Sequence, residues 1–294
     1  MSLREALDCL PRRLLQEIER VGDGYADFYH RLFELRLRAG HHAALTVDGR
    51  NLLLAYRVSA EEISGTLAAL CAHSVYAHED TLREGYLHAF GCRVGVAGRA
   101  VTNGGRVVGV ADVSALCIRI PHRIPGAGEV AARVFRRMGC RRGILVYSPP
   151  GVGKTTLLTD LSYTLSTGRE ALRVAVVDTR GELYGKDAPA ACQIDVLLGY
   201  PKAVGIEIAT RVLSPQVIVC DEIGGTADAE AVFAAVGAGV PLIASAHADG
   251  LGALRARPPL RALVEGGVFG AYIGISRENG KYSYLVEGEG LCQD

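Results

Sequence analysis

Ser148-Pro149-Pro150-Gly151-Val152-Gly153-Lys154-Thr155-Thr156 joins two different hydrophobic patterns. Before it, Gly143-Ile144-Leu145-Val146-Tyr147 is a continuous apolar run and predicts a buried strand. After it, Leu157, Leu158, Leu161 and Leu165 recur at helical spacing. Strand, glycine loop, Lys-Thr and helix form the context that a phosphate-binding loop requires. Gly151 and Gly153 let the backbone curl so that its N–H groups converge on a polyphosphate, and the helix N-terminus adds partial positive charge. Lys154 can reach the β- and γ-phosphates of ATP, and the Thr155 hydroxyl is a hard oxygen ligand for Mg²⁺. Ser148 stands where the usual pattern has glycine, and its small side chain suits such a loop. All nine residues, Ser148 to Thr156, are candidate nucleotide contacts.

Downstream, strand and helix patterns alternate. Strands are expected at 143–147, 173–178, 216–221 and 240–246, with helices between them. Continuous apolar strands separated by helices predict a mostly parallel sheet covered on both faces. In Val217-Ile218-Val219-Cys220-Asp221-Glu222 the apolar run ends in two carboxylates. Ligands of open parallel sheets bind at that carboxyl edge. Asp221 is the candidate Mg²⁺ ligand with Thr155, and Glu222 the candidate for orienting or deprotonating an attacking water. Two further strands end in polar groups: Asp178, Arg180 and Glu182 after one, His247 after another. Singly, each reads as a solvated loop residue. Four polar strand ends at one edge point instead to a site, in which Lys154, Arg180, Glu182, Glu222 and His247 are the catalytic candidates.

Upstream, residues 1–40 are charged and carry helical spacing. Thr46 to Arg50 predicts a strand entering a turn, with Leu52 to Tyr56 returning. Ser59-Ala60-Glu61-Glu62 is a capping box opening a helix. Glycines and β-branched residues from Gly85 to Ile120 predict antiparallel strands, with Asn103-Gly104 as the hairpin turn. Pro121, Pro125, Gly126 and Gly128 mark a linker able to act as a hinge. The expected organisation is an α+β domain at 1–124, a linker at 125–138 and an α/β domain at 139–294. The chain should close with a hairpin around Asn279-Gly280.

The 294 residues are 49% hydrophobic, with 32 basic and 32 acidic side chains. Zero net charge and the lack of a basic tail argue against nucleic acid as a partner. Eight scattered cysteines without a CxxC pair suggest reduced thiols in the cytoplasm. Cys71, His73, His78, His88 and Cys92 lie near one another in sequence, but separate core and surface positions are expected. The charged N-terminus is not a signal peptide. The uncharged stretch Ala231–Ala246 is too short to span a bilayer and is broken by Gly237, Gly239 and Pro241.

The motifs together resemble the secretion ATPases of type II and type IV systems, with their Walker A, Asp, Walker B and His boxes. Arg211-x-x-Ser-Pro-x-x-Ile-x-x-Asp-Glu-Ile-Gly followed by Ala246-His247 carries much of this likeness. Within that superfamily the chain most resembles the stage III sporulation protein AA family. Phe33-Glu34-Leu35-Arg36-Leu37-Arg38, Gly91 to Arg99, Ser114 to Ile120, Asp195 to Lys202 and Gly205-Ile206-Glu207 support this. Thr179 and Gly181 depart from it, standing where Glu and Ser are expected.

The resemblance implies a RecA-like P-loop ATPase domain after a smaller α+β domain. It also implies a homo-oligomer, a hexameric ring on the cytosolic face of a membrane channel or secretion complex. That places it in the mother-cell cytoplasm, peripheral to the membrane through partner proteins, during sporulation. An arginine clamping phosphate charge is expected from Arg93, Arg99, Arg119 or Arg211. Two other readings stay open: a nucleic-acid-binding P-loop ATPase, and a nucleotide-gated scaffold with little turnover.

Overall fold

The computed structural model describes residues 3–72, 74, 78–183, 190–278 and 281–288. It divides into two units, Met1–His122 and Arg123–Asp294.

The first unit contains helices α1 (Leu3–Asp8), α2 (Arg12–Gly22), α3 (Phe28–Arg31), α4 (Ala60–Leu70) and α5 (Glu79–Arg83). Its strands are β1 (Leu32–Arg38), β2 (His42–Val47), β3 (Arg50–Arg57), β4 (Tyr86–Ala89), β5 (Cys92–Asn103) and β6 (Arg106–Arg119). They form one antiparallel sheet in the order β3-β2-β1-β6-β5-β4. The helical reading of residues 1–40 fails at β1. There Leu35 and Leu37 alternate with Glu34 and Arg36, so a period of two prevails and buries both leucines. The capping box of α4 is formed: Glu62 N–H donates to Ser59 Oγ at 3.2 Å, and Ser59 N–H to Glu62 Oε2 at 2.9 Å. The β5–β6 turn is one residue later than expected. Asn103 pairs with Arg106, which leaves Gly104 and Gly105 as the central residues, both at positive φ. A tight turn with two left-handed residues selects Gly-Gly, which has no Cβ to clash.

The second unit runs α6 (Glu129–Arg137), β7 (Gly143–Ser148), α7 (Lys154–Ser166), β8 (Val174–Asp178), β9 (Ile194–Leu198) and α8 (Lys202–Ile208). A π-helical turn at Ala209–Leu213 leads to β10 (Val217–Cys220), α9 (Thr226–Gly237), β11 (Leu242–His247), α10 (Leu251–Ala256) and α11 (Pro258–Glu265). The described chain closes with β12 (Phe269–Glu278) and β13 (Lys281–Gly288). Seven strands lie in the order β13-β12-β7-β11-β10-β8-β9, and every pairing except β12–β13 is parallel. The α/β expectation, a mostly parallel sheet after a smaller α+β unit, describes this chain. The closing hairpin is present, although Asn279 and Gly280 lie outside the described residues.

Both faces of this sheet are buried, as continuous apolar strands require. Leu145, Tyr147, Ala175, Val177, Ile218 and Cys220 join one core with Ile206, Ala229 and Val232 of α8 and α9. The alternate residues Ile144, Val146, Val174, Val176, Val217 and Val219 join a second core with Phe135, Leu157, Leu158 and Leu161 of α6 and α7. Burial drives the Cys220 thiol up to about 12, so it behaves as a neutral core side chain. The described cysteines are free thiols. Among the described residues no helix is long and apolar enough to cross a membrane.

Residues 125–138 are not an open linker. They contain α6, whose Ala131, Ala132, Val134 and Phe135 are buried. The apolar spacing of those four residues outweighs the nearby proline and glycines. The segment before α6 is fastened to α7 by a buried carboxylate. Asp160 is fully buried; it accepts from Arg123 Nε at 2.8 Å and from Gly128 N–H at 2.9 Å. The Arg123 guanidinium also lies 4.9 Å from the Tyr163 ring centroid. A Cβ at Gly128 would stand 2.3 Å from the Leu161 nitrogen, so this approach is open only to glycine. The hinge expected across 121–128 is therefore pinned from Arg123 onward.

Removing one partner of a buried ion pair costs about 3–5 kcal/mol. Asp160→Ala should lower the unfolding free energy by that amount in urea titration followed by circular dichroism. A loss below ~1 kcal/mol would show that the pair carries no weight.

Candidate nucleotide site

The loop between β7 and α7 is shaped by two glycines at positive φ, Gly151 at 76° and Gly153 at 116°. Gly153 caps α7, so the first helical N–H groups open toward the loop. Pro149 and Pro150 are exposed, Val152 packs against the second core, and Thr155 and Thr156 lie in the first turn of α7.

Lys154 turns back into its own loop and is only 5% exposed. Its ammonium donates to the Ser148 carbonyl at 2.9 Å, the Ser148 hydroxyl at 3.2 Å and the Pro149 carbonyl at 3.0 Å. It also lies 2.8 Å from His247 Nδ1. Ser148 thus supplies Lys154 with an acceptor that glycine could not. Burial holds the Lys154 pKa below the ordinary lysine value, while Asp221 and Glu222 pull the other way.

Strand register explains why His247 meets Lys154. β11 lies beside β7, with His247 opposite Ser148. An ammonium only donates, so His247 Nδ1 must accept and its proton resides on Nε2. Nε2 faces Glu222 Oε1 at 3.4 Å. The other Glu222 oxygen accepts from Arg180 Nη1 at 2.9 Å. Lys154, His247, Glu222 and Arg180 therefore form one continuous polar chain.

Asp221 follows β10 and lies beside α7. Its Oδ2 accepts from the Thr155 hydroxyl at 3.1 Å, and its Oδ1 accepts from the buried Ser245 hydroxyl. Glu222 has φ 35°, a left-handed conformation that costs a non-glycine residue roughly 1–3 kcal/mol. Three contacts hold it there. Its N–H donates to Asp221 Oδ1 at 2.9 Å and Ser245 Oγ at 3.0 Å, and its carbonyl accepts from Lys202.

The site candidates thus come together except at the acidic loop. Arg180 reaches Glu222, whereas Asp178 turns inward. The Asp178 oxygens accept from Glu182 N–H at 2.9 Å and Leu183 N–H at 3.0 Å, which makes it the anchor of its own turn. Glu182 is fixed by that turn, half-buried. Between them the Thr179 hydroxyl is buried without a partner. Sequence reasoning missed Ser245 and Lys202. Ser245 was detectable as the polar residue inside an apolar strand; Lys202 carried no local signal.

The arginine candidates have other contacts. Arg211 pairs with Glu207 at 2.7 Å and Arg99 with Asp112 at 2.7 Å, while the Arg93 guanidinium lies 4.7 Å from the Tyr86 ring centroid. Among the described residues no three His, Cys, Asp or Glu side chains gather as a metal cage, and His73 lies outside those residues. Thr155 and Asp221 nevertheless present two adjacent hard oxygens. That donor set fits Mg²⁺, which keeps waters and takes the rest of its shell from phosphates.

The chain matches the family described as "Sporulation stage III, protein AA" over residues 7–288. It is 34% identical over 288 residues to stage III sporulation protein AA of Bacillus subtilis (strain 168), covering 95% of this chain and 89% of that protein. Among solved structures, the fold is similar to the ATPase DotB of Legionella pneumophila. The TM-score is 0.64 at 15% identity, over 94% of this chain and 81% of that one. The pilus retraction motor PilT, solved with bound ADP, gives a TM-score of 0.62 at 16% identity, over 93% of this chain and 83% of that one. The parallel sheet and the antiparallel unit that precedes it in the chain thus share the fold of DotB and PilT, and by sequence the chain belongs to the stage III sporulation protein AA family.

Proposed function

We propose that this chain is a Mg²⁺-dependent ATPase that powers a secretion-like channel complex between mother cell and forespore during sporulation. One observation carries the reading. A buried ammonium, a Thr–Asp oxygen pair and a glutamate converge at the mouth of a glycine loop on a helix N-terminus. Family membership supports the sporulation context. DotB is an ATPase and PilT a motor that binds ADP, and this chain shares their fold.

In this reading, residues Ser148 to Thr156 wrap the phosphates and Lys154 transfers its contacts from its own carbonyls to the β- and γ-oxygens. Thr155 and Asp221 would hold Mg²⁺, which when bound offsets phosphate charge. Glu222 takes the proton of the attacking water, and its left-handed backbone aims the carboxylate. His247 and Arg180 hold that carboxylate. Subunits assemble as a homo-oligomeric ring, hexameric by the resemblance, against the cytosolic face of membrane partners. Nucleic acid is not a partner in this reading.

A second reading, a nucleotide-gated scaffold with little turnover, is favoured by the Arg180–Glu222 pair. That pair ties up the candidate base, and Thr179 puts a neutral hydroxyl where the resemblance leads one to expect Glu.

Lys154→Ala should abolish ATP binding in calorimetry. Glu222→Gln should keep binding and lower turnover by about 10²-fold or more, because the amide keeps the shape but cannot take a proton. Turnover near wild type in the Gln variant would remove Glu222 from the mechanism.

Bound phosphates favour the Lys154 ammonium, whose pKa is depressed in the free protein. Binding should therefore take up a proton once pH exceeds the free-state value. The Kd for ATP should then rise with pH above the depressed free-state value and level off above the higher bound-state one. Calorimetry in buffers of different ionisation heat measures the uptake; buffer-independent heats would contradict it.

Specific ATPase activity should climb over a hundredfold range of protein concentration, in step with mass by light scattering. Nucleotide bound across an interface favours assembly by mass action. Constant activity from a monomer would favour the scaffold.

A further inference from the structure

The β12–β13 hairpin overshoots the sheet. β12 pairs with β7 as far as Gly274 opposite Tyr147, then continues to Glu278 while β7 turns into the glycine loop. β13 returns from Lys281, with Tyr282 opposite Arg277 and a Ser276–Ser283 hydroxyl contact of 2.7 Å behind them. Tyr282 therefore stands beside the loop. Its Cε1 lies 3.5 Å and its hydroxyl 4.0 Å from the point where a Cβ of Gly153 would be.

Exposed tyrosines are ordinary on protein surfaces. This one differs in being fixed on a strand pair against the loop residue that opens α7. The residue stays 49% exposed, although the Arg277 guanidinium lies 5.2 Å from the ring centroid. Phosphate groups seated in the loop leave a nucleoside that must cross the loop's rim. A flat apolar ring with a stacked cation at that rim suits the π-face of a nucleobase.

We infer that Tyr282, backed by Arg277, is the stacking platform for the base of a bound nucleoside triphosphate. The inference rests on the nucleotide-site reading above and adds to it the residue that recognises the base. Stacking reads a face and not a hydrogen-bonding edge, so ATP and GTP are held alike at this point.

The test uses the full chain and two ligands, MgATP and inorganic tripolyphosphate with Mg²⁺, measured by calorimetry. Tyr282→Ala should raise the Kd for MgATP by about 5- to 150-fold, the factor for one stacked base. It should leave tripolyphosphate within about twofold, and Tyr282→Phe should restore ATP affinity. Equal losses for both ligands would show that the tyrosine only props the loop. No loss for either would show that it does not touch the ligand; both results overturn the inference. If wild-type protein binds tripolyphosphate and MgATP equally, the loop is a phosphate site and the base platform is refuted. If wild-type protein binds neither ligand, the nucleotide-site reading itself fails, and this inference falls with it.

Discussion

The ammonium of Lys154 is buried among groups that solvate it but do not neutralise it. Two carbonyls, one hydroxyl and an imidazole nitrogen surround it, and its nearest carboxylates act without direct contact. A positive charge withdrawn from water at a helix N-terminus creates a standing demand for an anion. A polyphosphate meets that demand better than the loop's own carbonyls do. The tautomer of His247 follows from where this charge sits, and through its Nε2 the imidazole reaches Glu222.

Parallel register turns that local demand into a site. His247 lies opposite Ser148, Cys220 opposite Ala244, and Val177 opposite Cys220. The next residue of each strand reaches the same edge, so residues distant in sequence arrive within a few ångströms without a dedicated loop. Ser245 then ties β11 to Asp221, and Asp221 ties β10 to α7. The same helix carries Asp160, which fastens the segment from Arg123 to Gly128. A displacement of α7 by bound phosphates would be felt at both ends of that helix.

The parts legible in the sequence were those with a local physical signature. Gly151, Gly153, Lys154 and Thr155 declare a phosphate loop through spacing, and Asp221-Glu222 declares a sheet edge through the apolar run before it. Ser59 and Glu62 name their own cap. The parts that were not legible depend on distant partners. Whether Asp178 faces the site or its own turn is decided by the path of residues 179–183. That Glu222 adopts a positive φ depends on Ser245 and Lys202. Helix α6 was hidden because Pro125, Gly126 and Gly128 dominate the local signal. The glycine at 128 is there for close approach to Leu161, not for freedom. Strand β9 escaped because it is an edge strand, with Asp195 and Leu198 exposed and no continuous apolar run.

The most direct measurement is a crystal structure of the full chain with Mg²⁺ and a non-hydrolysable ATP analogue. The expected result has the triphosphate in the loop of residues 148–156 and Lys154 Nζ moved from the Ser148 and Pro149 carbonyls and His247 to the β- and γ-oxygens. It also has Thr155 and Asp221 at the cation. Triphosphate bound elsewhere, or Lys154 still holding its own carbonyls with nucleotide present, would contradict the assignment of this edge as the nucleotide site.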